Sequence, residues 1–82
     1  MKITIYSTTT CPYCKMLKSY LEEKNIEYLD KIVDQDDAAR EEMMNISGGF
    51  LGVPYTVIEK DGVQEKIVGF DKEKINSVLG LS

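Results

Sequence analysis

The chain predicts an α/β domain with the element order βαβαββα, on three observations. Short strand-like runs alternate with longer segments whose apolar residues recur at helical spacing. Asp61-Gly62 stands between two β-rich runs as a two-residue hairpin turn. Cys11-Pro12-Tyr13-Cys14 separates the first strand from the first helix. At 82 residues, 43% of them hydrophobic and 29% charged, the chain is read as a single domain spanning residues 1–82.

The first strand is placed at Lys2 to Tyr6, with Ile3 and Ile5 on one face, and the polar run Ser7-Thr8-Thr9-Thr10 ends it. Pro12 suits the first helical position, where a missing N–H costs nothing. Met16, Leu17, Tyr20 and Leu21 recur at helical spacing, which predicts a helix from Pro12 to Lys24 with Asn25 as its stop. A second strand falls within Glu27 to Val33 and carries Tyr28, Leu29, Ile32 and Val33. Asp34, Asp36 and Asp37 gather where the second helix starts, and negative charge there complements the macrodipole. Ala39, Met43 and Ile46 form its apolar stripe, and Gly48-Gly49 ends it.

Val53-Pro54 introduces a third strand, Tyr55 to Lys60, and the hairpin turn leads into a fourth, Val63 to Val68. Gly69-Phe70-Asp71 opens the last helix. Asp71 is its N-cap, and Phe70 and Ile75 take the two ends of a hydrophobic staple. Ile75, Val78 and Leu79 face inward, and Gly80 closes the helix. One right-handed βαβ unit pairs the first two strands in parallel, and the hairpin adds two antiparallel strands. The expected result is a four-stranded mixed sheet with helices on both faces.

Composition narrows the chemistry. The chain has no histidine, which removes His-based triads, His metal ligands and His general bases. Its formal charge of −4 lacks the basic footprint of a nucleic-acid binder. Ile3-Thr4-Ile5-Tyr6, directly after Met1-Lys2, is too short for a signal peptide or a membrane span, so the expectation is a cytoplasmic monomer with no membrane partner. Two cysteines cannot build a four-thiolate metal site in one chain, so no metal is assigned.

Both cysteines sit in one tetrapeptide, and in a reducing cytosol such a pair reads as redox-active rather than structural. Residues three apart at a helix start lie on one face, so their sulfurs can approach within bonding distance. Cys11 at the helix N-cap meets unpaired N–H groups and the positive end of the macrodipole, which favour a thiolate. Cys14, inside the first turn, suits the resolving role. Plainer readings are a buried inert pair or half of a metal site. Tyr13 reads as an exposed part of a substrate wall beside the pair, counted with the substrate-binding residues, or else as a core aromatic.

In its motifs the chain resembles a dithiol glutaredoxin. The Cys-Pro-Tyr-Cys motif follows a strand and a Thr-rich loop. Arg40-Glu41-Glu42-Met43, Ser47-Gly48, Val53-Pro54 and Gly69-Phe70-Asp71 then follow in that family's order. The resemblance spans nearly the whole chain. It implies a thioredoxin-like fold, a thiol–disulfide oxidoreductase activity and glutathione as co-substrate, with no tightly bound cofactor. It also implies a glutathione groove. Val53 would offer backbone hydrogen bonds to the cysteinyl part, beside a cis Pro54. Gly69, Phe70 and Asp71 would receive the γ-glutamyl end, and Arg40 the glycyl carboxylate. The residue-level alternatives are an ordinary N-cap for Asp71 and a solvated helix position for Arg40.

Three departures bear on the partner. Thr8 stands where relatives often carry Lys or Arg, Val68-Gly69 replaces a pair of glycines, and Gly48-Gly49-Phe50-Leu51-Gly52 is looser and more apolar than the usual approach to the proline. They leave room for a flavoprotein of the thioredoxin reductase type as reductant of the pair, with disulfide-containing proteins as substrates or with the chain as electron donor to one specific reductive enzyme. A different class of function is an iron–sulfur or metal carrier with Cys11 of two chains bridging a cluster, and a binding module without turnover is the last alternative.

Overall fold

The computed structural model describes residues 2–49 and 52–80. Seven elements run in the expected order: β1 (Lys2–Ser7), α1 (Pro12–Glu23), β2 (Leu29–Ile32), α2 (Asp37–Ser47), β3 (Tyr55–Lys60), β4 (Val63–Val68) and α3 (Lys72–Leu79). The strands form one sheet in the order β2-β1-β3-β4. β1 is parallel to β2, from Thr4↔Leu29 to Ser7↔Ile32, and antiparallel to β3, from Lys2↔Glu59 to Tyr6↔Tyr55.

Alternation along the inner strands sorts side chains into two layers. Ile3, Ile5, Ile58 and Ile67 point to one face and pack with Leu17, Tyr20 and Leu21 of α1 and Ile75 of α3. Tyr6, Tyr55 and Val57 point to the other and pack with Ala39 and Met43 of α2 and with Val33. Each large side chain fully withdrawn from water contributes roughly 1.5–3 kcal/mol. The helices thus cover both faces of the mixed sheet, as the apolar stripes require.

Helix ends follow local chemistry. Asp36 caps α2, accepting the N–H groups of Ala38 and Ala39 at 3.0 and 3.3 Å. Asp71 caps α3 by accepting the Lys74 N–H at 3.1 Å. In the hairpin, Asp61 (φ 52°) and Gly62 (φ 80°) both lie in the left-handed region, the geometry of a type I′ turn.

Three expectations are corrected. Ser7 belongs to β1 rather than ending it: pairing with Ile32 extends the strand, and the buried hydroxyl donates to Asp30 at 2.8 Å. Met16 is 50% exposed, so the buried stripe of α1 is Cys14, Leu17, Tyr20 and Leu21. The first cysteine inside the helix takes the place given to methionine. The second strand lies within the expected Glu27 to Val33 but does not carry Tyr28 or Val33: it runs Leu29–Ile32 at the sheet edge, where Leu29 is exposed.

A polar cluster ties α2 to the sheet. Glu42 accepts the Tyr6 hydroxyl at 2.6 Å and the Lys31 ammonium at 2.8 and 2.7 Å. The Lys31 and Tyr6 hydrogen bonds hold the Glu42 carboxyl below its ordinary value, while burial and then Glu42 itself push the Tyr6 phenol up. A carboxyl lowered on folding stabilises the fold above its unfolded pKa, ~4.3, and ceases to do so as pH falls through the folded value. Glu42→Gln is therefore expected to flatten the loss of stability between about pH 5 and 3. Because the Glu42 side chain is 43% exposed, the difference should be only on the order of 0.2–1 kcal/mol. Urea midpoints of both proteins across that range check it, and parallel acid limbs would exclude the cluster as a source of acid sensitivity.

Candidate active site

Strand register gathers the site. Tyr6↔Tyr55 sets Val53-Pro54 beside the end of β1, and Tyr55↔Val68 sets Gly69 beside Pro54. The Gly69 N–H donates to the Pro54 carbonyl at 2.7 Å. On the other side, Ser7↔Ile32 pairing continues as the Val33 N–H donating to the Ser7 carbonyl at 2.8 Å. Asp34 then reaches back to the loop before α1, accepting the Thr9 hydroxyl at 2.7 Å and its N–H at 3.2 Å. Those two hydrogen bonds, the hydroxyl first, hold the Asp34 carboxyl below its usual range.

Cys11 is the N-cap of α1, in extended backbone (φ −103°, ψ 106°), with Pro12 at the first helical position. Its Sγ accepts the Cys14 N–H at 3.1 Å. The two Cα atoms are 5.2 Å apart and the sulfurs stand close to bonding distance. Cys11 keeps 8% of its surface open, whereas Cys14 is fully buried. Of the two cysteines, only Cys11 keeps any surface open to an incoming group. Tyr13, 62% exposed, stands free beside the pair.

The remaining predicted residues share this end of the sheet in different ways. The Val53–Pro54 bond is cis; Val53 is half-buried against the α2-side core and Pro54 is buried. Gly69 takes φ 76°. The Phe70 ring is turned inward, edge-on to Tyr20 at 6.1 Å and against the core that holds Ile75, so its side chain acts as the staple. The Asp71 carboxylate is the α3 cap described above. Arg40 is exposed in the first turn of α2 and lines a cleft of about 360 Å³ with Thr8, Val33, Asp34 and Asp37. Phe50 and Leu51, in the loose approach to the proline, lie outside the described residues.

Sequence reading took Asp34 only as charge near a helix start. Its partner Thr9 lies 25 residues away, and no local signal could have joined them. None of the described helices is long and apolar enough to cross a membrane.

Comparison with known proteins agrees with this geometry. The family model described as Glutaredoxin matches residues 3–63. A glutaredoxin-like 8.6 kDa protein of the rubredoxin operon of Clostridium pasteurianum is 48% identical over 77 residues, covering 94% of this chain and 96% of that protein. Among solved structures, the thioredoxin-like protein BC3987 superposes with a TM-score of 0.80 at 32% identity, covering 94% of this chain and 99% of the other. The glutaredoxin-like NrdH-redoxin of Escherichia coli gives 0.75 at 28% identity, with 95% of each chain covered. With its Cys-Pro-Tyr-Cys pair at the head of α1 and a family match running from β1 to β4, this chain belongs to the glutaredoxin family.

Proposed function

We propose that the chain is a thiol–disulfide oxidoreductase that reduces protein disulfides or glutathione mixed disulfides through Cys11 and Cys14. The observation that supports this most directly is a cysteine at a helix N-cap that keeps part of its surface open, its Sγ accepting the Cys14 N–H at 3.1 Å, with a second, fully buried cysteine behind it. Amide donors and the helix dipole favour an anion at Cys11, and in such settings a cysteine pKa falls from ~8.5 to about 3.5–7.5.

The Cys11 thiolate attacks a substrate disulfide. One substrate sulfur bonds to Cys11 and the other leaves as a thiolate. Cys14 gives up its proton to the departed substrate thiolate or to water and attacks the Cys11 sulfur. The Cys11–Cys14 bond forms as the bond to substrate breaks, and the second substrate sulfur departs. Two electrons have passed to the substrate, and a reductant must return them to the pair.

Glutathione is the first reading for that reductant. Its cysteinyl part would lie along the Val53 backbone and against Tyr13, its γ-glutamyl end by Gly69 and Asp71, and its glycyl carboxylate near Arg40. A flavoprotein of the thioredoxin reductase type is the second reading, favoured by the company Arg40 keeps. Asp34 and Asp37 line the same cleft, and Thr8 adds no cation there. The Escherichia coli NrdH-redoxin is described as a glutaredoxin-like protein with a thioredoxin-like activity profile.

Cys11→Ser is expected to lower disulfide reductase activity by a factor on the order of 10³ or more, the scale of losing a nucleophile. Cys14→Ser should keep much of the reaction that needs one thiol. Assays on a protein disulfide and on a glutathione mixed disulfide check both, and an active Cys11→Ser variant would reject the assignment.

The reductant is tested through the cleft. With glutathione as donor, Arg40→Gln should raise KM about two- to fivefold with kcat little changed, and Asp37→Asn should lower it by about twofold, the scale of exposed charge pairs. If neither variant moves KM while a flavoprotein reductase drives turnover, the second reading replaces the first.

A further inference from the structure

Thr56, the second residue of β3, pairs with Ile5 of β1 and Ile67 of β4 and is 1% exposed. Among the described residues, its Oγ1 is the one buried side-chain nitrogen or oxygen without a hydrogen-bond partner. Other buried hydroxyls in the same sheet are served: Ser7 bonds to Asp30, and Tyr6 to Glu42. A buried hydroxyl with nothing to bond is less stable than the methyl that valine would put in its place. Valine also suits a strand at least as well. The hydroxyl therefore calls for a partner that this arrangement, with the two sulfurs close to bonding distance, does not offer.

Its position indicates which partner. Alternation along β3 puts Thr56 on the same face as Ile58, the face that packs with Leu17 of α1. β2 is parallel to β1, so α1 between them returns along the sheet, and β3 is antiparallel to β1. Both α1 and β3 therefore start at the active end and run away from it. Stepping back from Ile58 to Thr56, and from Leu17 to Cys14, moves toward that end in the same layer. Cys14 is the first buried residue of α1 and is fully enclosed.

We infer that Thr56 is a positioning residue for the resolving sulfur, with its hydroxyl free in the disulfide form and bonded to the Cys14 sulfur once the Cys11–Cys14 bond is open. A hydroxyl can accept from the Cys14 S–H and, after that proton leaves, donate to the thiolate, which is the stronger of the two bonds. It would thereby orient and stabilise Cys14 as it attacks the Cys11 mixed disulfide. The inference rests on the thiol–disulfide reading above.

The test is a redox equilibrium. Wild-type, Thr56→Val and Thr56→Ser proteins are each equilibrated with graded ratios of reduced and oxidised dithiothreitol, and free thiols are counted by alkylation. A net hydrogen bond of ordinary strength present only in the reduced form predicts that Thr56→Val shifts the equilibrium about fivefold toward the disulfide. At 29.6 mV per tenfold change, that is a potential about 20 mV lower. Thr56→Ser, which keeps the hydroxyl, should stay near wild type, and the oxidised Thr56→Val protein should melt at or above the wild-type temperature. If valine disturbs the fold, Thr56→Ala set against Thr56→Ser makes the same comparison. An unchanged equilibrium in Thr56→Val, in a wild type that cycles normally, overturns this inference alone. A wild type that cannot cycle between dithiol and disulfide overturns the functional reading and this inference with it.

Discussion

At the start of α1 a sulfur fills the role that α2 and α3 give to a carboxylate. Asp36 and Asp71 cap their helices with charged oxygens, whereas the Cys14 N–H is met by the Cys11 Sγ. A sulfur is the weaker acceptor, and a poor cap costs a helix about 0.5–2 kcal/mol. The same exchange leaves the helix dipole unneutralised by any fixed charge at that one point: the first turn of α1 carries no acidic residue, in contrast to Asp37 in α2 and Glu73 in α3. Whatever negative charge settles there must be on the sulfur itself. The chemistry of the site and the local weakness of the helix are thus one feature.

That feature is useful only if the turn stays put, and the sheet register holds it. β1 delivers the chain to the turn from the centre of the sheet, with β2 and β3 on its two sides. The Thr9–Asp34 bonds tie the loop to the β2 side, and the Gly69–Pro54 bond joins the two loops on the β3 side. Glu42 fastens α2 to both β1 and β2, which fixes Arg40 relative to the same end. Few of these contacts are hydrophobic. The apolar layers set the spacing of helices and sheet, and a small number of polar bonds set the orientation of the loops.

This division explains what could be read from the residues beforehand. The hairpin at Asp61-Gly62, the caps at Asp71 and Gly80, the staple of Phe70 and Ile75, and the sulfur pair are signalled within a few positions, because the physics that makes them is local. The apolar periodicities of α1 and α2 were legible for the same reason, except where Cys14 counted as core and Met16 did not. Ser7 was misjudged because its strand character comes from a partner strand 25 positions away. The Asp34–Thr9 and Glu42–Tyr6 bonds span 25 and 36 positions. Nothing in a short window distinguishes those carboxylates from the solvated charges around them.

The charges near the site also limit what it can hold. An anionic ligand is drawn to helix N-termini, yet α2 and α3 present theirs already occupied by Asp36 and Asp71. Arg40 shares its cleft with Asp34 and Asp37, so one positive side chain there stands among two negative ones. A small ligand with two carboxylates must therefore compete with side chains of the protein for each attractive position it would use. A folded protein that presents a disulfide meets a different surface: the small exposed part of Cys11, the exposed Tyr13 beside it, and no requirement that either helix start be cleared. The same cap exchange leaves α1 as the one start among the three described helices not held by a carboxylate.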